Sequence, residues 1–266
     1  MQSVLNGAAE AYGRLAPFYD ELTRDHDYEA WTGHLEATAG RFGLRGMRLL
    51  DAACGTGKSF LPFLRRGYAV TAFDLSAEMV GVARAKAPAA DLFVADVTRL
   101  GRIGSFDLIT CLDDSVNYLV DAGALDAALA SLAANLAPDG LLVFDVNTLS
   151  TYRTTFARDM TQDGPDVFLA WRGGCGETEQ PGCVASLTVE AFRRVPSGLY
   201  ERVTSAHRQR HHSRADVERA LAGAGLAAAG VFGQLPDGSL DAAASEERHH
   251  KLVYFAKRAT EGGETR

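Results

Sequence analysis

The sequence predicts an α/β fold: a seven-stranded, mostly parallel sheet with helices on both faces, joined to a small antiparallel sheet. Three observations predict it. From residue 48, short apolar runs alternate with helical patterns, which is the rhythm of βαβ units. After residue 147 the rhythm changes to longer strand-like runs broken by turn residues. From residue 213 the first rhythm resumes.

Residues 8–19 and 28–41 read as two helices, so 1–42 forms a helical cover ahead of the sheet. The first strand is 48–53, followed by a helix at 58–66. The second strand is 68–74, followed by a helix at 77–87. Strands three to five are 92–95, 106–112 and 141–146. An Ala/Leu-rich helix at 124–136 separates the last two and stops at Pro138, Asp139 and Gly140, where Pro lacks an N–H and Gly frees the backbone. Residues 167–172, 184–195 and 199–211 read as the antiparallel insertion, with Pro196, Ser197 and Gly198 turning between the last two. Ser213 caps a helix that runs through residue 222, and 226–233 and 251–257 supply the last two strands. The organisation is therefore a core of 43–148 and 213–258, an auxiliary sheet at 149–212, and a flexible tail at 259–266.

The chain has 266 residues, 47% hydrophobic and 23% charged, enough to bury one sizeable core. A formal net charge of −7 without a Lys/Arg run argues against nucleic acid as a partner, because phosphate binding needs clustered cations. Cys54, Cys111, Cys175 and Cys183 form no CxxC and read as reduced thiols. No apolar run approaches the roughly 20 residues that span a bilayer. These features lead to the expectation of a soluble cytoplasmic protein with no membrane partner, as a monomer or a homodimer. Residues 211–212 and 249–250 are His-His pairs, but neighbours in a strand face opposite ways, so no metal is expected.

The segment 51–59, DAACGTGKS, admits three ligands. A phosphate loop needs a glycine where Ala52 stands. A dinucleotide fingerprint needs a third glycine where Phe60 would crowd the helix against the strand. The third reading is a loop for S-adenosylmethionine (SAM): Asp51 ends the first strand, and Gly55 and Gly57 open the helix. SAM has no pyrophosphate, so it needs close backbone approach but no phosphate cradle. A merely tight strand-to-helix turn is the bland reading. Asp74 ends the second strand about 20 residues later, where a carboxylate can accept ribose hydroxyls. Asp96 and Val97 follow the third strand and can hold an adenine amino group and face. Asp96 alone could be a helix cap; the set at successive strand ends favours SAM.

With these residues, the chain resembles class I SAM-dependent methyltransferases, whose core is Rossmann-like. The resemblance is strongest over 47–146. Within the class the chain is similar to small bacterial methyltransferases with Tyr-Asp near the N-terminus, here Tyr19 and Asp20, then Tyr-x-x-Trp, here Tyr28 and Trp31. The segments DDSVNYL (113–119), GLYE (198–201) and HRQR (207–210) fit the same group. Relatives of glycine and amino-sugar N-methyltransferases share the layout, including an antiparallel roof over the acceptor. The resemblance implies that Tyr19 and Trp31 lie against the methionine end of SAM. Asp51, Ala53, Gly55 and Gly57 would form its loop, Asp74 would bind ribose, and Leu75 and Met79 would sandwich adenine. Asp96 and Val97 would hold the adenine edge, with Cys111, Leu112 and Asp113 beside the sulfonium. Two features depart from the group: Lys58 and Ser59 after the glycines, and a doubled acid at Asp113 and Asp114.

The implied reaction moves the activated methyl group of SAM to N or O of a small-molecule acceptor, giving S-adenosylhomocysteine, with a natural-product intermediate as the expected acceptor. A SAM-binding enzyme that transfers no methyl group and a non-catalytic SAM sensor are the alternatives. Tyr19 and His207 are the candidate catalytic residues. Asn117, Tyr118, Asn147, Trp171, Arg208 and Arg210 are candidate acceptor contacts, although a tryptophan on a strand, such as Trp171, is more often core than cage. His207 and Gln209 share one strand face and Arg208 and Arg210 the other; the expectation for an acidic acceptor requires the arginine face to look inward.

Overall fold

The computed structural model describes residues 2–174 and 180–259. Cys175 and the expected tail beyond residue 259 lie outside the described residues. The chain opens with α1 (Gln2–Leu15), a 3-10 turn carrying Pro17, and α2 (Tyr19–Leu22). The single helix expected at 8–19 is thus broken, because proline removes a helical N–H and restricts the residue before it. Next comes α3 (Tyr28–Arg41), capped by Asp27, whose carboxylate accepts from Ala30 N–H at 2.9 Å.

The core then alternates: β1 (Arg48–Ala52), α4 (Leu61–Arg65), β2 (Ala69–Asp74), α5 (Ala77–Lys86), β3 (Asp91–Val94), β4 (Phe106–Cys111), α6 (Ala124–Asn135) and β5 (Leu136–Asn147). Helix α4 starts three residues later than expected, because Gly57 sits at φ +91° in a turn. Strand β5 starts earlier than expected. Pro138 and Gly140 do not end the pairing; the register shifts there, as Phe106 pairs with Leu136 and Leu108 with Leu141.

The insertion holds α7 (Leu149–Thr154), β6 (Met160–Asp163), β7 (Val167–Gly173), β8 (Val184–Arg194) and β9 (Tyr200–Arg210). The chain then returns to the core with α8 (Arg214–Gly223), β10 (Leu226–Gln234), β11 (Leu240–Asp241) and β12 (Lys251–Arg258). Ser213 and Asp216 form a capping box on α8. Elements α7, β6 and β11 carry no apolar periodicity and were not expected.

The main sheet has the order β11-β10-β12-β5-β4-β1-β2-β3. It is the expected seven-stranded sheet extended by the two-residue β11. Strands β1 to β5 pair in parallel, while β12 runs antiparallel between β5 and β10. Neighbouring side chains divide between its two faces: Leu50, Phe144 and Tyr254 join one core cluster, and Leu49, Val143 and Phe255 the other. The chain leaves β1 towards β2 and β3, then returns to β4 and β5 on the other side. The carboxyl ends of β1 and β4 therefore flank a topological switch point, where open α/β sheets form their crevice.

The second sheet is an antiparallel meander, β6-β7-β8-β9. Helix α1 packs on β9. Leu15, Phe18, Val167, Leu169, Val189 and Ala191 form the cluster that fastens the N-terminal cover to this roof. No helix among the described residues is long and apolar enough to cross a membrane.

Candidate active site

A cavity opens at the carboxyl ends of β1 to β4. It is lined by Ala53, Gly55, Asp74, Leu75, Met79, Asp96, Val97, Leu112 and Asp113 from the core, and by Tyr12, Tyr19 and Tyr28 from the cover. Ala53, Gly55 and Gly57 have φ of 55°, 52° and 91°. That left-handed run brings Ala53 and Gly55 into the cavity wall. At Gly57 space matters too, since an added Cβ would lie 2.8 Å from the Phe60 ring. Asp74 steadies the loop by accepting from Gly55 N–H at 2.9 Å and Ser76 N–H at 2.9 Å. Burial raises its pKa against these bonds. Asp96 accepts from the backbone N–H and the hydroxyl of Thr98, so it both caps a turn and lines the cavity.

Four expected cofactor contacts stand elsewhere. Gly57 turns the loop at φ +91° but is outside the lining. Asp51 is 1% exposed and outside the lining. Its two oxygens accept from Ser59 Oγ at 2.6 Å and Thr110 Oγ1 at 2.5 Å, so it pins the loop to β4 from below. Cys111 is buried in the core. Trp31 is fully buried behind the site; its ring centroid lies 6.0 Å from Lys251 Nζ. Tyr28, one helical turn earlier, takes the cavity position and donates to Asp113 Oδ2. The i,i+3 spacing on α3 puts both rings on one side of the helix, and only packing decides which reaches the cavity.

The GKS triplet also finds its role. Lys58 Nζ donates to Thr23 O at 2.7 Å, to Thr23 Oγ1 at 2.9 Å and, more weakly, to Asp20 O. Asp20 in turn accepts from Thr56 Oγ1 at 2.5 Å and Lys86 Nζ at 2.6 Å. These bonds sew the N-terminal cover to the glycine loop, and Lys58 is spent on carbonyls rather than on a phosphate.

A second cavity lies under the roof, lined by Trp171, His207, Gln209, Asn147, Asp114 and Lys251 together with apolar residues such as Leu15 and Val189. Tyr12, Tyr19 and Tyr118 line both cavities, so the two meet at these rings. Tyr12 OH donates to Tyr118 OH at 2.8 Å, and Tyr118 OH lies 3.0 Å from His207 Nδ1. His207 Nε2 lies 2.9 Å from Ser205 Oγ. Burial pushes the His207 pKa down to about 4, so its ring is neutral near pH 7.

Between the cavities, Asp113 and Asp114 adopt φ of 60° and 50°. Left-handed non-glycine backbone costs on the order of 1–3 kcal/mol per residue and persists where surroundings enforce it. Asp145 enforces it here by accepting both backbone N–H groups, at 2.8 and 2.6 Å. Lys251 Nζ reaches Asp113, Asp114 and Asp145 at 3.4, 2.9 and 3.3 Å. Burial opposes the Lys251 charge, but the three carboxylates outweigh it and raise its pKa well above the ordinary value.

The remaining expected acceptor contacts divide by strand parity. Asn117 is fully buried and donates to Arg210 O while accepting from Asn147 N–H, so it clasps β5 to β9 rather than lining either cavity. Arg208 is exposed and faces a depression beside Arg14 on α1, and Arg210 lines neither cavity. The alternation of β9 turns His207 and Gln209 inward and removes the arginines from the cavity under the roof, which corrects the expectation of an arginine-bearing roof.

A cavity lined by the left-handed Ala53 and Gly55, with carboxylates at two successive strand ends, fits SAM. YqeM of Bacillus subtilis, described as a methyltransferase without a stated acceptor, is 30% identical over 220 residues, covering 81% of this chain and 86% of its own. The chain belongs to the class I SAM-dependent methyltransferases. The methyltransferase domain family matches residues 49–140 of this enzyme. A SAM-dependent methyltransferase from Clostridium acetobutylicum superposes with a TM-score of 0.79 at 26% identity, covering 94% of this chain and 99% of its own. A dTDP-3-amino-3,6-dideoxy-alpha-D-glucopyranose N,N-dimethyltransferase of Streptomyces fradiae is 32% identical over 139 residues, 52% of this chain and 54% of its own. SAM is the cofactor of this methyltransferase.

Proposed function

We propose that this methyltransferase acts on N or O of a small-molecule acceptor, a natural-product intermediate, held in the cavity under the roof. The observation that carries the reading is the sharing of Tyr12, Tyr19 and Tyr118 between the two cavities. SAM supplies an activated methyl group on a sulfonium. Asp74 binds the ribose, Leu75 and Met79 enclose the adenine, and Asp96 and Val97 hold its edge. Tyr19 stands where the methyl group changes hands. His207 holds the Tyr118 hydroxyl, which orients the acceptor. Positioning of this kind supplies roughly 7–11 kcal/mol of a bimolecular barrier. The amino-sugar acceptor named for the Streptomyces fradiae relative supports a small polar acceptor. The reduced-thiol composition supports a cytoplasmic setting.

The test is a mass-spectrometric screen of amines, amino sugars and phenols with SAM. A gain of one methyl group in an acceptor, with matching S-adenosylhomocysteine, is the expected result. SAM binding with no methylated product across the panel would favour a non-transferring SAM protein.

A further inference from the structure

The loop after β4 divides the two cavities, and its two acidic residues look opposite ways. Asp113 lines the cofactor cavity and Asp114 the acceptor cavity. Their consecutive left-handed conformations produce that split. Tyr19 lines both cavities, so a methyl group passing between them would change hands beside it, with one of the two carboxylates lining each cavity.

The charges around this point do not balance. Asp113, Asp114 and Asp145 share one ion-paired cation, Lys251. Lys58 also lines the cofactor cavity and feels the Asp113 charge, but its ammonium is hydrogen-bonded to Thr23 and Asp20. Asp74 and Asp96 add two more carboxylates to the same lining. His26 lies 3.9 Å from Asp113, but burial lowers its pKa and favours the neutral ring. Tyr28 donates to Asp113 and Gln209 to Asp114 as neutral groups. Burial opposes ionisation of Asp113, yet Lys251 and the Tyr28 hydrogen bond hold the carboxyl below the usual range. The excess negative field reaches the transfer point: after burial, Asp113 and Asp114 are the groups that push the Tyr19 phenol up.

We propose that the Asp113 and Asp114 carboxylates favour the charged form of the cofactor, stabilising the sulfonium of SAM over the neutral thioether of S-adenosylhomocysteine. The inference rests on SAM as cofactor and not on the identity of the acceptor. The donor is positive until its methyl group leaves, and the product is not. A wall with more carboxylates than cations holds the first more tightly than the second, at partial burial where water screens the field only in part. It therefore raises the affinity for donor relative to product.

Isothermal titration of the full chain with SAM, S-adenosylhomocysteine and sinefungin tests this. Sinefungin carries an amine in place of the methylated sulfur and so keeps a positive charge. In Asp113→Asn and Asp114→Asn, SAM and sinefungin should lose about tenfold more affinity than S-adenosylhomocysteine. Asp113→Glu and Asp114→Glu, which keep the charge, should preserve the ratio. Equal losses for all three ligands, or Glu variants that behave as the Asn variants do, would overturn the proposal. Thermal melting identifies any variant that loses its fold. Asp114→Asn then carries the test, since it leaves Lys251 paired with Asp113 and Asp145. Failure of every ligand to bind the unaltered chain would remove the cofactor reading itself, and the proposal with it.

Discussion

Lys251 on β12 reaches Asp145 on β5 at 3.3 Å, and the same carboxylate holds the two backbone N–H groups of the left-handed loop after β4. The pair joins the end of the chain to the wall between the cavities. Lys251→Met would leave three carboxylates without their cation. Removing one partner of a buried ion pair costs about 3–5 kcal/mol. A drop of that order in urea-unfolding free energy is expected, and an unchanged unfolding midpoint would contradict the arrangement.

Asp51 makes stability depend on pH. Burial raises its pKa to about 7, against hydrogen bonds from Ser59 and Thr110 that lower it. An unfolded aspartate titrates near about 4. Between those values the folded state holds a proton that the unfolded state has released, so this group's contribution is full below about pH 4 and is lost as pH rises through about 7. Asp145, raised to about 6 chiefly by burial, acts in the same direction over a narrower window. Asp51→Asn should flatten the fall in urea midpoint between pH 5 and pH 8. An identical pH profile in the variant would exclude the assignment.

Asp74→Ala should weaken SAM binding by about 10- to 100-fold, the loss of one or two hydrogen bonds to a charged group. It also frees the Gly55 N–H. Calorimetry of the unaltered enzyme should give SAM and S-adenosylhomocysteine binding with no comparable affinity for NAD. Tighter binding of NAD than of SAM would contradict the loop assignment.

Gly57→Ala places a Cβ at φ +91° and 2.8 Å from the Phe60 ring. The left-handed backbone alone costs about 1–2 kcal/mol. A lower melting temperature together with reduced SAM affinity is expected. At Gly55 the nearest atom to an added Cβ is 4.0 Å away, so Gly55→Ala should lose only the conformational part.

His207 should remain neutral throughout the physiological range, with its ring held between Tyr118 and Ser205. Histidine NMR should show no titration of His207 between about pH 5.5 and 8, consistent with a pKa near 4. A midpoint near 6.5 would mean that the ring is solvated and that the acceptor cavity is more open than described.

The alternation of residues 48–147, the glycine loop and the acids ending β2 and β3 were legible in the sequence. Each rests on local periodicity or on spacing along one βα unit. The bulge at Pro138 and Gly140 was not, because a turn signal and a bulge signal use the same residues. Elements α7, β6 and β11 were not, because their sequences have no apolar rhythm.

By itself, the sequence determined a doubly covered parallel core, a glycine loop suited to SAM and an antiparallel insertion. Only the tertiary structure decided that Tyr28 and not Trp31 reaches the cavity, and that β9 shows His207 and Gln209 rather than Arg208 and Arg210 to the cavity under the roof. It alone set Asp51 beneath the loop and gathered Asp113, Asp114 and Asp145 around Lys251, a residue more than a hundred positions away. The physical reason is that periodicity fixes which residues share a face, while packing of distant elements decides where that face looks and which charges it must share.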